Sequence, residues 1–298
     1  MNDCRLPIAD CRLPAELKLS GREAFATENR KSKIVNAFTL VEMLVVISIL
    51  GLLAALTVPA LKNLGKSNAS ISASRQMLDG VGRARQLAIA NHTTVYMIFV
   101  PTNFWVAGGQ FPNNWWSRLT SVQQTVATNL CDKQLSGYTF VAYGAAGDQP
   151  GRHIWHYLDR WQGMPEGSFI AQWKFGPRNS TNSVVDPATG ASYPVQGFAT
   201  TQIPFPTENF PNGLTLQYLP PFPYISFNYL GQLTSGQDEY IPLARGSVLP
   251  AIDPSTKAFQ LNSPSVSETP PGNSVSAFNL IHIDWLTGRA DLKYQKVQ

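Results

Sequence analysis

Ala37-Phe38-Thr39-Leu40-Val41-Glu42-Met43-Leu44 opens an apolar run that lasts to Leu61, and this stretch decides the fold. Positions 43–61 are 19 residues without a charge. At about 1.5 Å rise per residue, such a helix covers roughly 28 Å, close to the hydrocarbon core of a bilayer. Glu42 sits just inside it. A carboxylate in that setting is costly, which makes it a functional-site candidate by default. Arg30, Lys31 and Lys33 precede the run and favour a cytoplasmic N-terminus; Lys62 and Lys66 follow it and weaken the contrast. A secretory signal peptide has a shorter apolar region and a small-residue cut after it. Here the run is long, and the small residue Ala37 lies before it.

Beyond the run, Ile71, Leu78, Val81, Leu87 and Ile89 recur among Arg75, Asp79, Arg83 and Arg85 at helical spacing. The expectation is one long helix over 38–91 in two halves, the first apolar all round and the second amphipathic. Gly51 and Pro59 are its bend points, because proline removes a backbone donor. Residues 93–100 are β-branched and aromatic, and they stop at Pro101, which predicts a strand. Further strands are expected at 138–143, 168–175, 224–229, 276–285 and 289–294. Asp284 to Arg289 predicts a tight hairpin turn with Gly288 at positive φ. Strands after one long helix predict an α+β fold with an antiparallel sheet.

Residues 101–223 hold most of the seven tryptophans and many Pro, Gly and Asn. They read as an elaborated insertion with some short strands, too aromatic for disorder. The surplus of Trp and Tyr forms either a binding surface or the core of that insertion. Residues 263–274 read as an exposed loop.

The chain of 298 residues is 44% hydrophobic and 14% charged, against a typical charge content of about 25%. Residues 1–37 resemble no folded domain. Asp3-Cys4-Arg5-Leu6-Pro7 returns as Asp10-Cys11-Arg12-Leu13-Pro14, as in a translated intergenic repeat or a long leader. That segment takes +2 of the net charge of +4, leaving the rest near neutral. No broad nucleic-acid surface is expected on that balance. Cys131 is the one cysteine outside it, so no intramolecular disulfide is expected after leader removal, and a buried thiol is.

The leader, small residue, Phe, Thr, Leu, aliphatic, Glu and apolar helix resemble the N-terminal signature of type IV pilins and type II secretion pseudopilins. The resemblance implies a prepilin peptidase cut between Ala37 and Phe38, N-methylation of Phe38, and a filament-register role for Glu42, the fifth mature residue. There Glu42 would pair with the new amine of a neighbouring subunit. Pro59 falls where many members carry a kinking proline. Ala37 in place of the usual Gly is the one departure. Arg83-Ala84-Arg85-Gln86-Leu87 with the strand after it, 225–236 and 283–289 are similar to H-type minor pseudopilins and FimT-like minor pilins. The Trp-rich region departs from that pattern.

The resemblance implies a pilin-like α+β fold: leader 1–37, transmembrane and filament-core helix 38–64, and extracytoplasmic domain 65–298. It implies a non-catalytic minor subunit of a type II secretion pseudopilus or type IV pilus. Its partners would be the prepilin peptidase, other pilins or pseudopilins, the inner-membrane assembly platform and membrane lipid, with no cofactor. The alternative is a FimT-like minor pilin that holds DNA or a surface ligand through the small basic cluster Arg289, Lys293 and Lys296, which Asp291 interrupts.

Other chemistry is thinly represented. His153-x-x-His156-x-x-Asp159 has the spacing of one helix face but lacks a third sure ligand, so aromatic packing is favoured over a metal. No nucleophile elbow, phosphate loop or dinucleotide fingerprint occurs.

Overall fold

The computed structural model describes residues 39–105, 116–144, 148, 153–186, 189–208 and 219–294, with the backbone alone over 56–68 and at 294. The chain divides into two units, Met1–Ala54 and Ala55–Gln298. The first helix, α1 (Leu40–Asn91), is assigned without a break through Gly51 and Pro59.

In the first unit every described helical residue is exposed, and nearly all are apolar. Gly51 has nothing within 4 Å of where a Cβ would stand. Among the described residues no helix is long and apolar enough to cross a membrane. The uncharged run extends past Ala55 into positions whose side chains lie outside the described residues.

In the second unit, Ala73, Met77, Val81, Ala84 and Ala88 form one fully buried stripe of α1. Their three- and four-residue spacing keeps them on a single face. They share a core with two antiparallel sheets. The first sheet has the order β3-β2-β1-β9-β8, with β4 beside β2. Its strands are β1 (Thr94–Phe99), β2 (Gly137–Tyr143), β3 (Trp155–Tyr157), β4 (Gln162–Gly163), β8 (Ala199–Gln202) and β9 (Pro221–Phe227). The second runs β11-β10-β12-β13, with β5 beside β10. It consists of β5 (Ser168–Ile170), β10 (Glu239–Leu249), β11 (Ser265–Glu268), β12 (Asn279–Ile283) and β13 (Ala290–Tyr294). A separate ribbon pairs β6 (Thr181–Val185) with β7 (Ser192–Gln196).

Period-two alternation on β1 sorts its side chains between two cores. Val95, Met97 and Phe99 face the core that contains the α1 stripe. Tyr96 and Ile98 join a second core with Phe104, Trp155, Phe205 and Phe222. Trp105, Trp116 and Trp161 pack against that second core. Much of the tryptophan surplus is therefore structural. Residues 101–223 also supply β2, β5 and β8, so this region builds framework strands as well as the second core.

Two expected strands are shorter than the sequence suggests. The 168–175 stretch leaves its sheet after Ile170, and Gln172–Phe175 is a 3-10 turn closed by Lys174 N donating to Ala171 O at 3.0 Å. The 276–285 stretch begins with a short helix at Asn273–Ser276, and its strand starts at Asn279. The longest strand, β10, carries Pro242 and Gly246, residues that argue against a central strand. Pro242 is tolerated because its missing N–H would face the edge where β5 ends: Pro242 O accepts from Ala171 N there, and Ala171 O is already taken by Lys174 N.

Candidate functional site

At its N-terminus, α1 begins with a reciprocal cap. Thr39 N donates to Glu42 Oε2 at 2.9 Å, Thr39 Oγ1 donates to the same oxygen at 3.0 Å, and Glu42 N donates to Thr39 Oγ1 at 3.2 Å. Met43 N then donates to Thr39 O at 3.2 Å and starts the helical ladder. This is a capping box, which satisfies donors that the first turn leaves orphaned. The carboxylate also lies at the positive end of the helix dipole. Glu42 therefore has a partner in its own chain. The Thr-x-x-Glu spacing that signals a capping box is present in the sequence at 39–42. Ala37, Phe38 and Lys296 lie outside the described residues, as does the side chain of Pro59.

A second constellation gathers three of the segments read from sequence. After β9, Gly231 N donates to Asn228 O at 2.8 Å, and Gly231 takes φ +80°. Between β12 and β13, Asp284 Oδ1 accepts from Thr287 N and Thr287 Oγ1, both at 2.7 Å, and Gly288 takes φ +63°. Those Thr287 bonds hold the Asp284 carboxyl below its ordinary value. The turns touch: a Cβ on Gly288 would stand 2.0 Å from Gly231 O, and Leu233 N donates to Trp285 O at 2.9 Å. Arg85 Nε donates to Thr287 O at 2.7 Å, and a Cβ on Gly231 would meet Ile89 and Arg85. Glycine is required at both positions, by positive φ and by close approach. The turns leave Tyr229 and Leu230 57% exposed and Trp285 40% exposed. Exposed aromatics gathered on paired turns have the composition of an interaction surface.

The basic C-terminal cluster is largely internal in its charge. Lys293 Nζ lies 2.7 Å from Asp291 Oδ2, and that bond raises the lysine's pKa. Asp291 also meets His282 Nδ1 at 2.7 Å, while His282 Nε2 lies 3.0 Å from Asp238. Burial pushes the Asp291 carboxyl up, but Lys293 and His282 together leave it below its ordinary value. Arg289 is exposed.

The His153, His156 and Asp159 spacing falls on and around a strand, not a helix, so the three do not share a helix face. His156 faces Asp148 at 3.2 Å, whereas Asp159 takes Arg83 at 2.9 Å and Gln162 at 2.6 Å. Among the described residues no group of three metal-ligating side chains converges. Cys131 is buried, and burial, helped by Asp132, pushes its thiol up to about 11. Lys174, fully buried, donates to Gln196 O at 2.7 Å and meets Glu239 at 3.2 Å, and Arg178 meets the same carboxylate at 2.8 Å. Burial lowers the Lys174 pKa. This triad fastens the segment after β5 to the start of β10.

The described chain thus combines a capped, largely apolar helix start with an antiparallel α+β unit. Residues 33–58 match the model of the prokaryotic N-terminal methylation motif, a type IV pilin-like signal. No curated protein and no solved structure matches the chain.

Proposed function

We propose that this chain is a minor pseudopilin or pilin, a structural subunit without catalytic activity. Prepilin peptidase cuts it between Ala37 and Phe38 and methylates Phe38. The start of α1, over 38–64, anchors it in the inner membrane with residues 65–298 outside the cytoplasm. It then enters a type II secretion pseudopilus or type IV pilus.

One observation carries the reading: the methylation motif runs into a helix whose described first-unit side chains are nearly all apolar, and all exposed. A helix apolar on all sides needs a bilayer or other helices around it. The minor-subunit reading rests on the sequence likeness of 83–100, 225–236 and 283–289; in the fold Arg85 meets the Gly231 and Gly288 turns of the latter two. The DNA-holding alternative has weaker support, since Asp291 takes up the charge of Lys293.

Intact mass and N-terminal sequencing, with and without the peptidase, test the reading. A mature chain beginning at methylated Phe38 is expected; an uncut chain, or one cut after Ala55 or Ala60, would sink it. Glu42→Ala is expected to be cleaved yet absent from filaments, and its normal incorporation would refute the register role.

A further inference from the structure

His282, on β12, is 9% exposed and stands between Tyr240 of β10 and Asp291 of β13 in the sheet register. Both of its ring nitrogens meet carboxylates. Nδ1 lies 2.7 Å from Asp291 Oδ1, and Nε2 lies 3.0 Å from Asp238 Oδ2. An ionised carboxylate only accepts hydrogen bonds. A neutral imidazole donates at one nitrogen and accepts at the other, and only the imidazolium donates at both. The two contacts are therefore complete in one protonation state of the ring.

The surrounding groups suit that state. Asp238 and Tyr240 face the ring from the start of β10, with the Tyr240 centroid 5.1 Å from that of the imidazole. Asp291 and Lys293 face it from β13, 2.7 Å from each other. Asp284 follows two residues along the chain, and Tyr193 of β7 packs on Tyr240 at 5.7 Å. Three carboxylates thus surround the ring with one ammonium among them. Burial pushes the Asp291 carboxyl up, but Lys293 and His282 leave it below its ordinary value, so it is ionised while a histidine titrates. Burial pushes the Tyr240 phenol up and keeps it neutral.

Asp238 reaches further than the ring. Its Oδ1 accepts from Trp285 N at 3.0 Å, so one carboxylate joins the imidazole to the turn that displays Trp285 and Leu286. The two carboxylates differ in their freedom to leave. Asp291 is fixed opposite His282 in the β12–β13 pairing, whereas Asp238 precedes β10 and belongs to no strand. On loss of one proton, the remaining N–H stays on Nδ1 for Asp291. Nε2 then turns a lone pair toward Asp238, the carboxylate departs for water, and Trp285 N loses its acceptor.

We propose that His282 is a protonation latch for the exposed Trp285 turn: as imidazolium it holds Asp238 against Trp285 N, and as neutral imidazole it releases both. The latch is closed at lower pH, and it opens as pH rises and the ring gives up its proton. Histidine suits such a device because its charge changes between about pH 5 and 8. The latch is a property of the second unit and stands apart from the assembly reading.

Nitrogen NMR of the full chain in detergent micelles reads both ends of the latch. The His282 ring is expected to carry protons on both nitrogens at about pH 5.5 and on Nδ1 alone at about pH 8.5. Protection of the Trp285 amide, measured against the unfolded chain at the same pH, is expected to fall about tenfold over that interval, the scale of one bond to a charged group. Ile281, buried on the same strand, should keep its protection throughout. His282→Gln should show the weaker Trp285 protection at both pH values. Asp238→Asn keeps an oxygen for Trp285 N and offers an amide N–H to the neutral ring, so Trp285 should stay protected at both. That second variant tests the latch even where His282→Gln does not fold. Trp285 protection that does not change with pH, a ring with one proton throughout, or a pH response retained by Asp238→Asn would overturn the proposal.

Discussion

The two halves of α1 share a backbone conformation and little else. In the second unit the helix is held by a stripe of five side chains, Ala73, Met77, Val81, Ala84 and Ala88, all buried in a core shared with both sheets. In the first unit the same helix has a side-chain cap at its start and exposed apolar residues thereafter. Helical stability in proteins comes mostly from packing an amphipathic face. The second half follows that rule within its own chain, and the first half needs its packing from outside. The largest contrast should appear on truncation. Met77→Ala is expected to cost about 2–5 kcal/mol of the second unit's stability, as for other buried methionines. Leu50→Ala should stay within about 0.5 kcal/mol, as for exposed sites. Urea unfolding of the two variants checks this, and equal losses would erase the distinction.

A comparable contrast separates the two glycine turns from the exposed residues they carry. Gly288→Ala should cost roughly 1–3 kcal/mol, the scale of a non-glycine residue held at positive φ. The added Cβ would also force Gly231 O from its place 2.0 Å away and disturb Leu233 and Arg85. Leu230→Ala, on the outside of the same turns, should barely move the thermal midpoint. If both variants melt with wild type, the turns are not fastened to the helix as the hydrogen bonds indicate.

How much of this was legible depended on how local the signal was. The apolar run, β1, β2 and the Gly288 hairpin were readable because each is a periodicity or a turn signature contained in a few residues. The helix over 71–89 was readable but its buried face was not: of Ile71, Leu78, Val81, Leu87 and Ile89 only Val81 is fully buried, Ile71 and Ile89 are exposed, and the face is held by the small or flexible Ala73, Met77, Ala84 and Ala88. β10 was not, because Pro242 and Gly246 are tolerated only through its neighbours: β5 ends beside the proline, and β11 crowds the glycine. The helical spacing of His153, His156 and Asp159 misled because the local chain is a strand edge, which no three-residue interval reveals. The basic C-terminal cluster looked available because the Asp291–Lys293 bond, although close in sequence, depends on the strand placing both on one face. The Thr39–Glu42 box was the opposite case, a local signal hidden by a stronger interpretation of the same glutamate.

Cys131 gives a smaller effect that belongs to the second unit alone. Its thiol ionises near 9 in the unfolded chain and at about 11 in the fold. The fold prefers the neutral thiol, so this contribution is whole below about pH 9 and is lost as pH rises through about 11. At pH 8 the native protein should react with iodoacetamide far more slowly than the urea-unfolded protein. Equal rates would mean that the thiol is not enclosed.

The smallest effect on stability bears most directly on the first half of the helix. Thr39→Ala removes the hydroxyl that donates to the Glu42 carboxylate and accepts from Glu42 N, leaving only the backbone N–H of residue 39 on that carboxylate, and should raise amide exchange at Glu42 and Met43 severalfold, with no change in unfolding of the second unit. Its value lies in separating two functions of one carboxylate. Glu42→Gln keeps an acceptor oxygen for Thr39 N and loses the charge. If filament register needs the charge, Glu42→Gln fails to assemble while Thr39→Ala still enters filaments. If the carboxylate acts by holding the first turn, the pattern reverses: Glu42→Gln assembles, and Thr39→Ala fails together with Glu42→Ala. The two outcomes differ because a register contact is made between chains and depends on charge, whereas a cap is made within one chain and depends on the Thr39 hydroxyl and an uncharged or charged acceptor at position 42.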